Sequence, residues 1–270
     1  MIGELQTKLS RLKAILSRYD GAVVAFSGGV DSTFLLSVAA EVLGERVLAV
    51  TISSPFEIQR EVDEAKAFTS ALGVEHQLIE IDDLCLDEFR TNPPDRCYHC
   101  KKDLFSRMLE IAEERGFSVL EASNCDDSED YRPGLKAIHE LGVGSPLVEA
   151  GLTKQDIRTI SRERDLPTWD KPSMACLASR IPYNEPITLE KLKQVGDGEQ
   201  FLYDLGFRSC RVRHHGALAR IEVPPGDIGL LMREPMRKKI AEHFRELGFT
   251  YITVDVEGYR TGSMNENLDL

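Results

Sequence analysis

The sequence predicts an α/β fold, in which a parallel sheet with helices on both faces is followed by a small C-terminal α+β domain. Three observations predict it. Strand and helix patterns alternate through the first half of the chain, a glycine turn joins the first strand to the next helix, and the pattern changes beyond Pro186. Such alternation favours a parallel sheet covered by helices. We expect the two domains at residues 1–175 and 176–270.

The elements of the first domain follow from the spacing of apolar residues. Leucines three and four residues apart predict an opening amphipathic helix. The predicted strands cover residues 22–26, 46–52, 76–81 and 119–123, and the predicted helices between and after them begin near residues 32, 57, 100 and 154. Ligands of such sheets bind at the carboxyl ends of the strands. The polar loop at 124–134 should therefore lie at the same edge as the glycine turn.

The second domain has a different pattern. Thr188 is a candidate N-cap for a helix that ends near residue 205. Two short strands at 209–214 and 218–223, a helix at 235–247 and a strand at 250–256 follow. We expect these strands to form a small antiparallel sheet.

Composition narrows the class of protein. The 270 residues carry a formal net charge of -12, which argues against extended contact with nucleic acid. No apolar run reaches the roughly 18 residues that span a membrane, and no signal-peptide pattern opens the sequence, so we expect a cytoplasmic protein without membrane contact. The six cysteines then indicate metal or redox chemistry before disulfides.

The glycine turn has the features of a phosphate-binding loop. Gly28 and Gly29 let the backbone approach a pyrophosphate closely, and the hydroxyls of Ser27 and Ser32 can donate to its oxygens. Asp31 beside an anion indicates a bound magnesium ion. The pattern lacks the spacer and lysine of a Walker A loop and the third glycine of a dinucleotide fingerprint. The alternative is a plain capped turn.

Asn124 and Asp127 follow a predicted strand directly, and we expect them to face a nucleotide or magnesium ion. Glu129 and Asp130, further along the loop, are better explained as solvated charges.

A cysteine pair and a distant third cysteine form the second motif. Cys97 and Cys100 stand in a C-x-x-C motif at the start of a predicted helix, where the helix dipole favours thiolates. A tetrahedral zinc site would need further ligands. With Cys176, three cysteines can hold three irons of a [4Fe-4S] cluster and leave the fourth iron open. We assign no cluster role to Cys85, Cys125 or Cys210.

The glycine turn resembles the PP-loop of ATP pyrophosphatases, and a wider set of motifs resembles the LarE family of ATP-dependent sulfurtransferases. These motifs extend over nearly the whole chain, at residues 27–32, 97–100, 124–127, 131–134, 145–147, 152–154, 172–180 and 210–216. The resemblance implies that ATP adenylylates a carboxylate of pyridinium-3,5-biscarboxylic acid mononucleotide with release of pyrophosphate. Sulfur then displaces AMP and leaves a thiocarboxylate, in the biosynthesis of the nickel-pincer nucleotide cofactor.

The resemblance also implies roles for particular residues. One branch of the family gives up the sulfur of a cysteine that corresponds to Cys176. Another carries two more cysteines and a [4Fe-4S] cluster that holds an extra sulfide, and Cys97 and Cys100 match that branch. A sulfide donor and a homo-oligomer are implied as partners.

Three charged residues near the end of the chain complete the predicted site. Arg211 and Arg213 alternate on a predicted strand, so both should point to one face, where they suit a substrate phosphate. Their alternative is a solvent-facing basic pair. Glu199 resembles the family's active-site glutamate, although alone it would be interpreted as a surface charge.

Two other functions compete with the sulfurtransferase of a small nucleotide. One is a transfer-RNA thiolase, which the acidic charge disfavours. The other is a non-catalytic module that binds ATP or zinc.

Overall fold

The computed structural model of the protein describes residues 2–81, 90–129, 133–173, 175–260 and 262–265. The chain forms two compact units. The first comprises Met1–Ser54, Gln59–Asp82 and Asp95–Met174, and the second comprises Pro55–Ile58, Asp83–Pro94 and Ala175–Leu270.

The second unit therefore includes two short segments that the sequence analysis assigned to the first domain. One reason is the buried Asn92, whose side-chain amide donates to the carbonyl oxygens of Ile181 at 3.2 Å and Pro182 at 2.7 Å. Such a contact ties residues far apart in the sequence, so local patterns do not reveal it.

The first unit contains a parallel sheet of four strands in the order β3-β2-β1-β4. The strands are β1 (Ala22–Ala25), β2 (Val47–Ser53), β3 (Glu75–Glu80) and β4 (Ser118–Leu120). The helices of this unit are α1 (Ile2–Leu16), α2 (Val30–Leu43), α3 (Gln59–Leu72), α4 (Arg96–Arg115), α5 (Pro133–Glu140), α6 (Pro146–Glu149) and α7 (Lys154–Glu163).

Both faces of this sheet are covered, as the sequence predicted. Alternate residues of β1 point to opposite faces. Ala22 and Val24 pack in a core with residues of α1, α2 and α7, while Val23 packs in a second core with Phe105 and Met108 of α4. The apolar runs of the strands are explained by burial on both sides.

Several local boundaries of the first unit differ from the sequence prediction: β4 ends at Leu120 instead of residue 123, and α4 begins at Arg96 instead of near residue 100. Helix α2 begins at Val30, two residues before the predicted start near Ser32, because Gly29 already takes the N-cap position. The loop after β4 is partly helical, with a 3-10 turn at Cys125–Glu129 and α5 from Pro133.

The second unit consists of a three-stranded sheet and helices. Its strands are β5 (Arg211–His215), β6 (Leu218–Glu222) and β7 (Tyr251–Val254), and the helices bounded within the described residues are α8 (Leu189–Asp204), α9 (Ile228–Leu231) and α10 (Met236–Glu246). Thr188 caps α8 as predicted, because its hydroxyl oxygen accepts from the amide of Lys191 at 3.2 Å.

The prediction of an antiparallel sheet is wrong for one strand. Strands β5 and β6 pair antiparallel, but β6 and β7 pair parallel. The connection between β6 and β7 contains α9 and α10. This helical crossover carries the chain back to the end of the sheet where β6 begins, so β7 runs in the same direction as β6. No helix of the described residues is long and apolar enough to cross a membrane.

Candidate active site

The phosphate loop connects the end of β1 to the start of α2 at the carboxyl edge of the sheet. Gly28 has a φ of 67°, in the left-handed region that favours glycine. A Cβ atom at Gly28 would lie 3.5 Å from the Cβ of Ala65 and 3.6 Å from the carbonyl oxygen of Glu61, both on α3. Backbone conformation, more than lack of space, therefore requires glycine at this position.

The start of α2 is open to an anion. Gly29 is the N-cap residue, and it has no side chain that could cap the first amides of the helix. The exposed hydroxyl of Ser27 lies 3.1 Å from that of Ser32, and the amide of Gly29 makes only a long contact of 3.4 Å to the Ser27 hydroxyl. Amides at a helix start carry partial positive charge and need acceptors. This geometry favours a phosphate site over a plain capped turn.

Asp31 lies in the first turn of α2 with one oxygen engaged and one without a partner. Its Oδ2 accepts from the Nζ of Lys154 at 2.5 Å, while its buried Oδ1 has no hydrogen-bond partner among the described residues. Burial raises the pKa of Asp31, and the nearby Asp127 carboxylate raises it further against the opposing effect of Lys154. Carboxylate oxygens are the ligands that magnesium prefers. The residues present therefore fit a magnesium ion.

The loop after β4 is ordered by its own side chains. The side-chain Oδ1 of the buried Asn124 accepts from the backbone N–H of Asp126 at 3.0 Å. The backbone N–H of Asn124 donates to Oδ2 of Asp127 at 3.0 Å. Asp126 in turn accepts from the amide of Lys154 at 2.9 Å. The amide oxygen of Asn124 thus serves the loop, and its contact with a nucleotide stays a prediction.

Two lysines that the sequence does not predict as site residues make contacts at the loop. Lys154 pairs with Asp31, and Lys171 donates to the carbonyl oxygen of Gly28 at 3.1 Å. Lys154 had a signal, because Thr153 closes a capping box at the start of α7 and so fixes where that helix begins. Lys171 stands in an irregular segment, where no helical or strand spacing predicts which residue it contacts.

The predicted cluster cysteines are divided between the two units. Cys97 and Cys100 lie within the first five residues of α4 in the first unit, with Cys97 exposed and Cys100 half-buried. Cys176 is exposed and belongs to the second unit. Within the described residues no three His, Cys, Asp or Glu side chains are grouped to hold one metal ion. Thiolates are the usual ligands of iron-sulfur clusters, and a cluster held by these three thiols stays a prediction.

A buried ion pair holds the segment that carries Cys176. Arg180, with no exposed side-chain surface, forms a bidentate pair with Glu199 at 2.7 and 2.8 Å. The same guanidinium donates to the carbonyl oxygens of Ala175 at 2.9 Å and Cys176 at 3.3 Å. Leu177, which begins the 3-10 turn Leu177–Arg180, donates its amide to the carbonyl of Phe56 at 2.8 Å. Arg180 therefore fixes the backbone on which the Cys176 thiol stands.

The charges of this pair stabilise each other. Burial opposes the ionisation of both groups. At Glu199 the effect of burial is smaller than the combined effect of the neighbouring charges and hydrogen bonds, those of Arg180 above all, so the pKa of that carboxyl lies below its usual value. The Glu199 carboxylate likewise holds the pKa of Arg180 above its usual value despite burial. Glu199 is 3 % exposed, so its interpretation as a surface charge is wrong. Arg180 belongs to the motif at residues 172–180, but its position in the sequence does not predict an ion pair with Glu199.

Arg211 and Arg213 are both buried in β5, which excludes the solvent-facing alternative. Arg213 pairs with Glu222 of β6 at 2.8 Å and donates to the carbonyl of Ser179 at 3.1 Å. The Arg211 guanidinium lies 5.0 Å from the ring centroid of Tyr259, and burial followed by the Arg180 charge lowers the pKa of Arg211. Their contact with a substrate phosphate stays a prediction.

Three other cysteines and two acidic residues of the loop after β4 have no predicted cluster or ligand role. Cys210 is buried and contacts the carbonyl of Glu199 at 3.7 Å, whereas Cys125 is half-buried and burial raises its pKa. Cys85 and Asp130 lie outside the described residues, as does the side chain of Glu129.

The parallel sheet and its phosphate loop define a nucleotide-binding α/β protein of the PP-loop type. Residues 6–107 match the model of the NAD synthase family. The solved structure of NMN synthetase from Francisella tularensis has the same fold, with a TM-score of 0.52 and 19% identity over 63% of this chain and 75% of that chain.

Relatives of nearly equal length define the family more narrowly. An uncharacterized protein of Synechocystis sp. is 40% identical over 98% of this chain and 99% of its own length. The pyridinium-3,5-bisthiocarboxylic acid mononucleotide synthase of Lactiplantibacillus plantarum is 39% identical over 98% of this chain and 96% of its own length. The chain belongs to the family of this synthase, the LarE family, which confirms the resemblance found in the motifs.

Proposed function

We propose that the protein is an ATP-dependent sulfurtransferase that converts a carboxylate of pyridinium-3,5-biscarboxylic acid mononucleotide to a thiocarboxylate, in the biosynthesis of the nickel-pincer nucleotide cofactor. The observation that carries the proposal is the 39% identity, over nearly the whole of both chains, to the synthase that bears the name of the bisthiocarboxylic product. The open phosphate loop supplies the site that such a reaction needs for ATP.

The first step activates the carboxylate. A carboxylate oxygen attacks the α-phosphorus of ATP, the bond to the β-phosphate breaks, and pyrophosphate leaves. The amides at the start of α2 and the hydroxyls of Ser27 and Ser32 bind the leaving phosphates. Asp31 and Asp127 would hold a magnesium ion, which neutralises phosphate charge when bound. Lys154 keeps Asp31 in place through its ion pair.

The second step replaces AMP by sulfur. A sulfide attacks the activated acyl carbon, and the bond to the AMP oxygen breaks. Cys97, Cys100 and Cys176 would hold a [4Fe-4S] cluster, which supplies an open iron site for that sulfide when it is bound. The chain's own contribution is positional, because Arg180 holds the backbone carbonyls of Ala175 and Cys176.

The charges around Cys176 suit an anionic substrate. Arg180, Arg211 and Arg213 are close enough to influence one another electrostatically, and Glu199 and Glu222 pair with two of them. We propose Arg211 and Arg213 as ligands of the substrate phosphate, and Glu199 as the group that orients Arg180.

Three further properties belong to this proposal. The protein works in the cytoplasm, takes sulfide from a separate donor, and forms a homo-oligomer. Size-exclusion chromatography with light scattering tests the last of these.

Metal content tests the cluster. Protein purified without oxygen should contain about four irons and as many sulfides per chain, in keeping with a [4Fe-4S] cluster. Cys97→Ala, Cys100→Ala and Cys176→Ala should each lose this iron, whereas the control Cys125→Ala should retain it. Zinc without iron would contradict the cluster and favour a zinc-binding module.

Substrate choice tests the reaction. ATP consumption should depend on the pyridinium mononucleotide and should not respond to transfer RNA. Thiolation of transfer RNA alone would overturn the proposed function and favour a transfer-RNA thiolase.

A further inference from the structure

We infer that Lys171 is a positioning residue of the phosphate loop, one that fixes the peptide between Gly28 and Gly29 in the orientation that binds the pyrophosphate part of ATP. The inference rests on the proposed function, because it assigns the loop to ATP phosphates. The observation that carries it is the set of contacts made by a single ammonium group.

The ammonium of Lys171 has three acceptors. Its Nζ donates to the carbonyl oxygen of Gly28 at 3.1 Å and to Oε2 of Glu64 at 2.7 Å, and it forms an ion pair with Glu61. Glu61 and Glu64 lie on α3, the helix against which Gly28 packs. Lys171 therefore joins the loop to α3 at the residue with the left-handed backbone.

These contacts exclude a direct role of Lys171 in holding the nucleotide. An ammonium has three N–H groups, and the three acceptors match them. Glu61 and Glu64 also pair with Arg60, so two cations and two carboxylates balance in this cluster, and Lys171 adds no net attraction for a phosphate. What remains is the effect of Lys171 on the geometry of the loop.

The geometry acts through the peptide unit. In a trans peptide the carbonyl and the following N–H point in opposite directions. A donor that fixes the Gly28 carbonyl therefore also fixes the direction of the Gly29 N–H, and an ammonium on the oxygen polarises that N–H as a donor. Among the described residues the Gly29 amide makes one long contact, 3.4 Å to the Ser27 hydroxyl, so it has capacity for an anion.

Lys171 is itself held in place. Arg158 of α7 donates to the carbonyl oxygens of Trp169 at 2.7 Å and Lys171 at 2.8 Å. The ammonium thus extends from a fixed backbone, as a positioning residue requires. Most of its side chain is shielded, with 13 % exposed.

Comparison of two ligands separates this role from general stability. Lys171→Met should weaken binding of α,β-methylene-ATP with Mg2+ about tenfold in calorimetry, the size expected for one lost hydrogen bond to a charged donor, and should leave AMP binding unchanged. AMP lacks the pyrophosphate that the loop binds. The matched control is Lys13→Met, which breaks an ion pair with Glu41 near the far end of α2 and should change neither affinity.

Several results would overturn the inference. Unchanged binding of α,β-methylene-ATP would do so, and so would equal weakening of AMP, which indicates general damage. If Lys171→Met does not fold, Lys171→Arg retains a cation for Glu61 and Glu64 and is judged by the same two ligands, with severalfold selective weakening expected because its planar fork does not reproduce a point donor. A wild-type protein that binds no α,β-methylene-ATP would instead refute the proposed function, and this inference with it.

Discussion

The phosphate loop and the segment that carries Cys176 are held in place by different kinds of contact. The conformation of the loop follows from consecutive residues, with a left-handed glycine and the first amides of α2, and the distant Lys171 adds one contact to the Gly28 carbonyl. The Cys176 segment is held by a buried ion pair between its own Arg180 and Glu199 of α8, 19 residues further along the chain. One region offers backbone donors to a ligand, whereas the other uses buried charges to position a thiol.

This difference predicts how each region fails when it is changed. A substitution in the loop should remove a binding contact and leave the fold intact. Loss of one partner from the buried pair leaves an uncompensated charge, so it should reduce both stability and function.

The largest effect is expected at Cys176 itself. Cys176→Ala should abolish thiocarboxylate formation, because the thiol is a proposed ligand of the cluster that carries the transferred sulfide, while pyrophosphate release in a single turnover continues. Mass spectrometry of the product and a pyrophosphate assay check the two steps separately. The control Cys125→Ala alters a half-buried thiol of the first unit and should leave both steps unchanged. Normal product formation by Cys176→Ala would contradict the role of this thiol.

Asp31→Asn should produce the complementary defect. Pyrophosphate release should fall at least about 100-fold, as for loss of one electrostatic contact that stabilises a transition state, because a neutral amide is a weaker magnesium ligand than a carboxylate. The iron content should not change. Asp63→Asn, at a more exposed carboxylate of α3, is the control and should match the wild type. Undiminished pyrophosphate release by Asp31→Asn would separate Asp31 from the first step.

Glu199→Gln should mainly affect stability. Arg180 would lose its buried partner, and the free energy of unfolding in urea should fall by about 3–5 kcal/mol. The exposed pair of Lys193 and Asp197 on the same helix provides a matched control, since Asp197→Asn should cost less than about 1 kcal/mol. A double variant with methionine at positions 180 and 199 should recover much of the lost stability. If Glu199→Gln lowered the free energy of unfolding by less than about 1 kcal/mol, it would contradict the claim that Arg180 depends on Glu199 for its charge balance.

The smallest effect is a difference in pH dependence between the two carboxyls. The pKa of Glu199 is lowered on folding, so its contribution to stability is complete above the unfolded value of about 4.3 and is lost as the pH falls through its folded pKa. The pKa of Asp31 is raised, so ionisation of Asp31 reduces stability as the pH rises from about 3.9 through its folded pKa.

Urea unfolding over a pH series checks both signs. Without nucleotide or Mg2+, Asp31→Asn should be more stable than the wild type at neutral pH, and the difference should disappear in acid. Glu199→Gln should be less stable at neutral pH, and its deficit should shrink in acid. Slopes of the same sign for the two variants would contradict the assigned pKa shifts.

The fold and the phosphate loop could be predicted from the sequence because they depend on local signals. Apolar runs indicated the strands of the parallel sheet, and the order Ser-Gly-Gly placed the loop between β1 and α2. The direction of β7 could not be predicted in this way, because the parallel pairing depends on how α9 and α10 carry the chain back beside β6.

The contacts that organise the site were less accessible from the sequence. Cys176 was singled out by its motif, but the pair of Arg180 with Glu199 joins residues of different elements, and a glutamate on an apparently polar helix segment gives no sign of burial. Lys171 on Gly28 is a similar case, since 143 residues separate the two partners. Tertiary packing alone brings such residues together.

The most direct test of the proposed function is the product itself. The protein, purified without oxygen, is incubated with ATP, Mg2+, a sulfide source and pyridinium-3,5-biscarboxylic acid mononucleotide, and the nucleotide is analysed by mass spectrometry. We predict replacement of a carboxylate oxygen by sulfur, with AMP and pyrophosphate released in step with the sulfur incorporated. A nucleotide that remains unchanged while the same preparation binds ATP would contradict the proposed function.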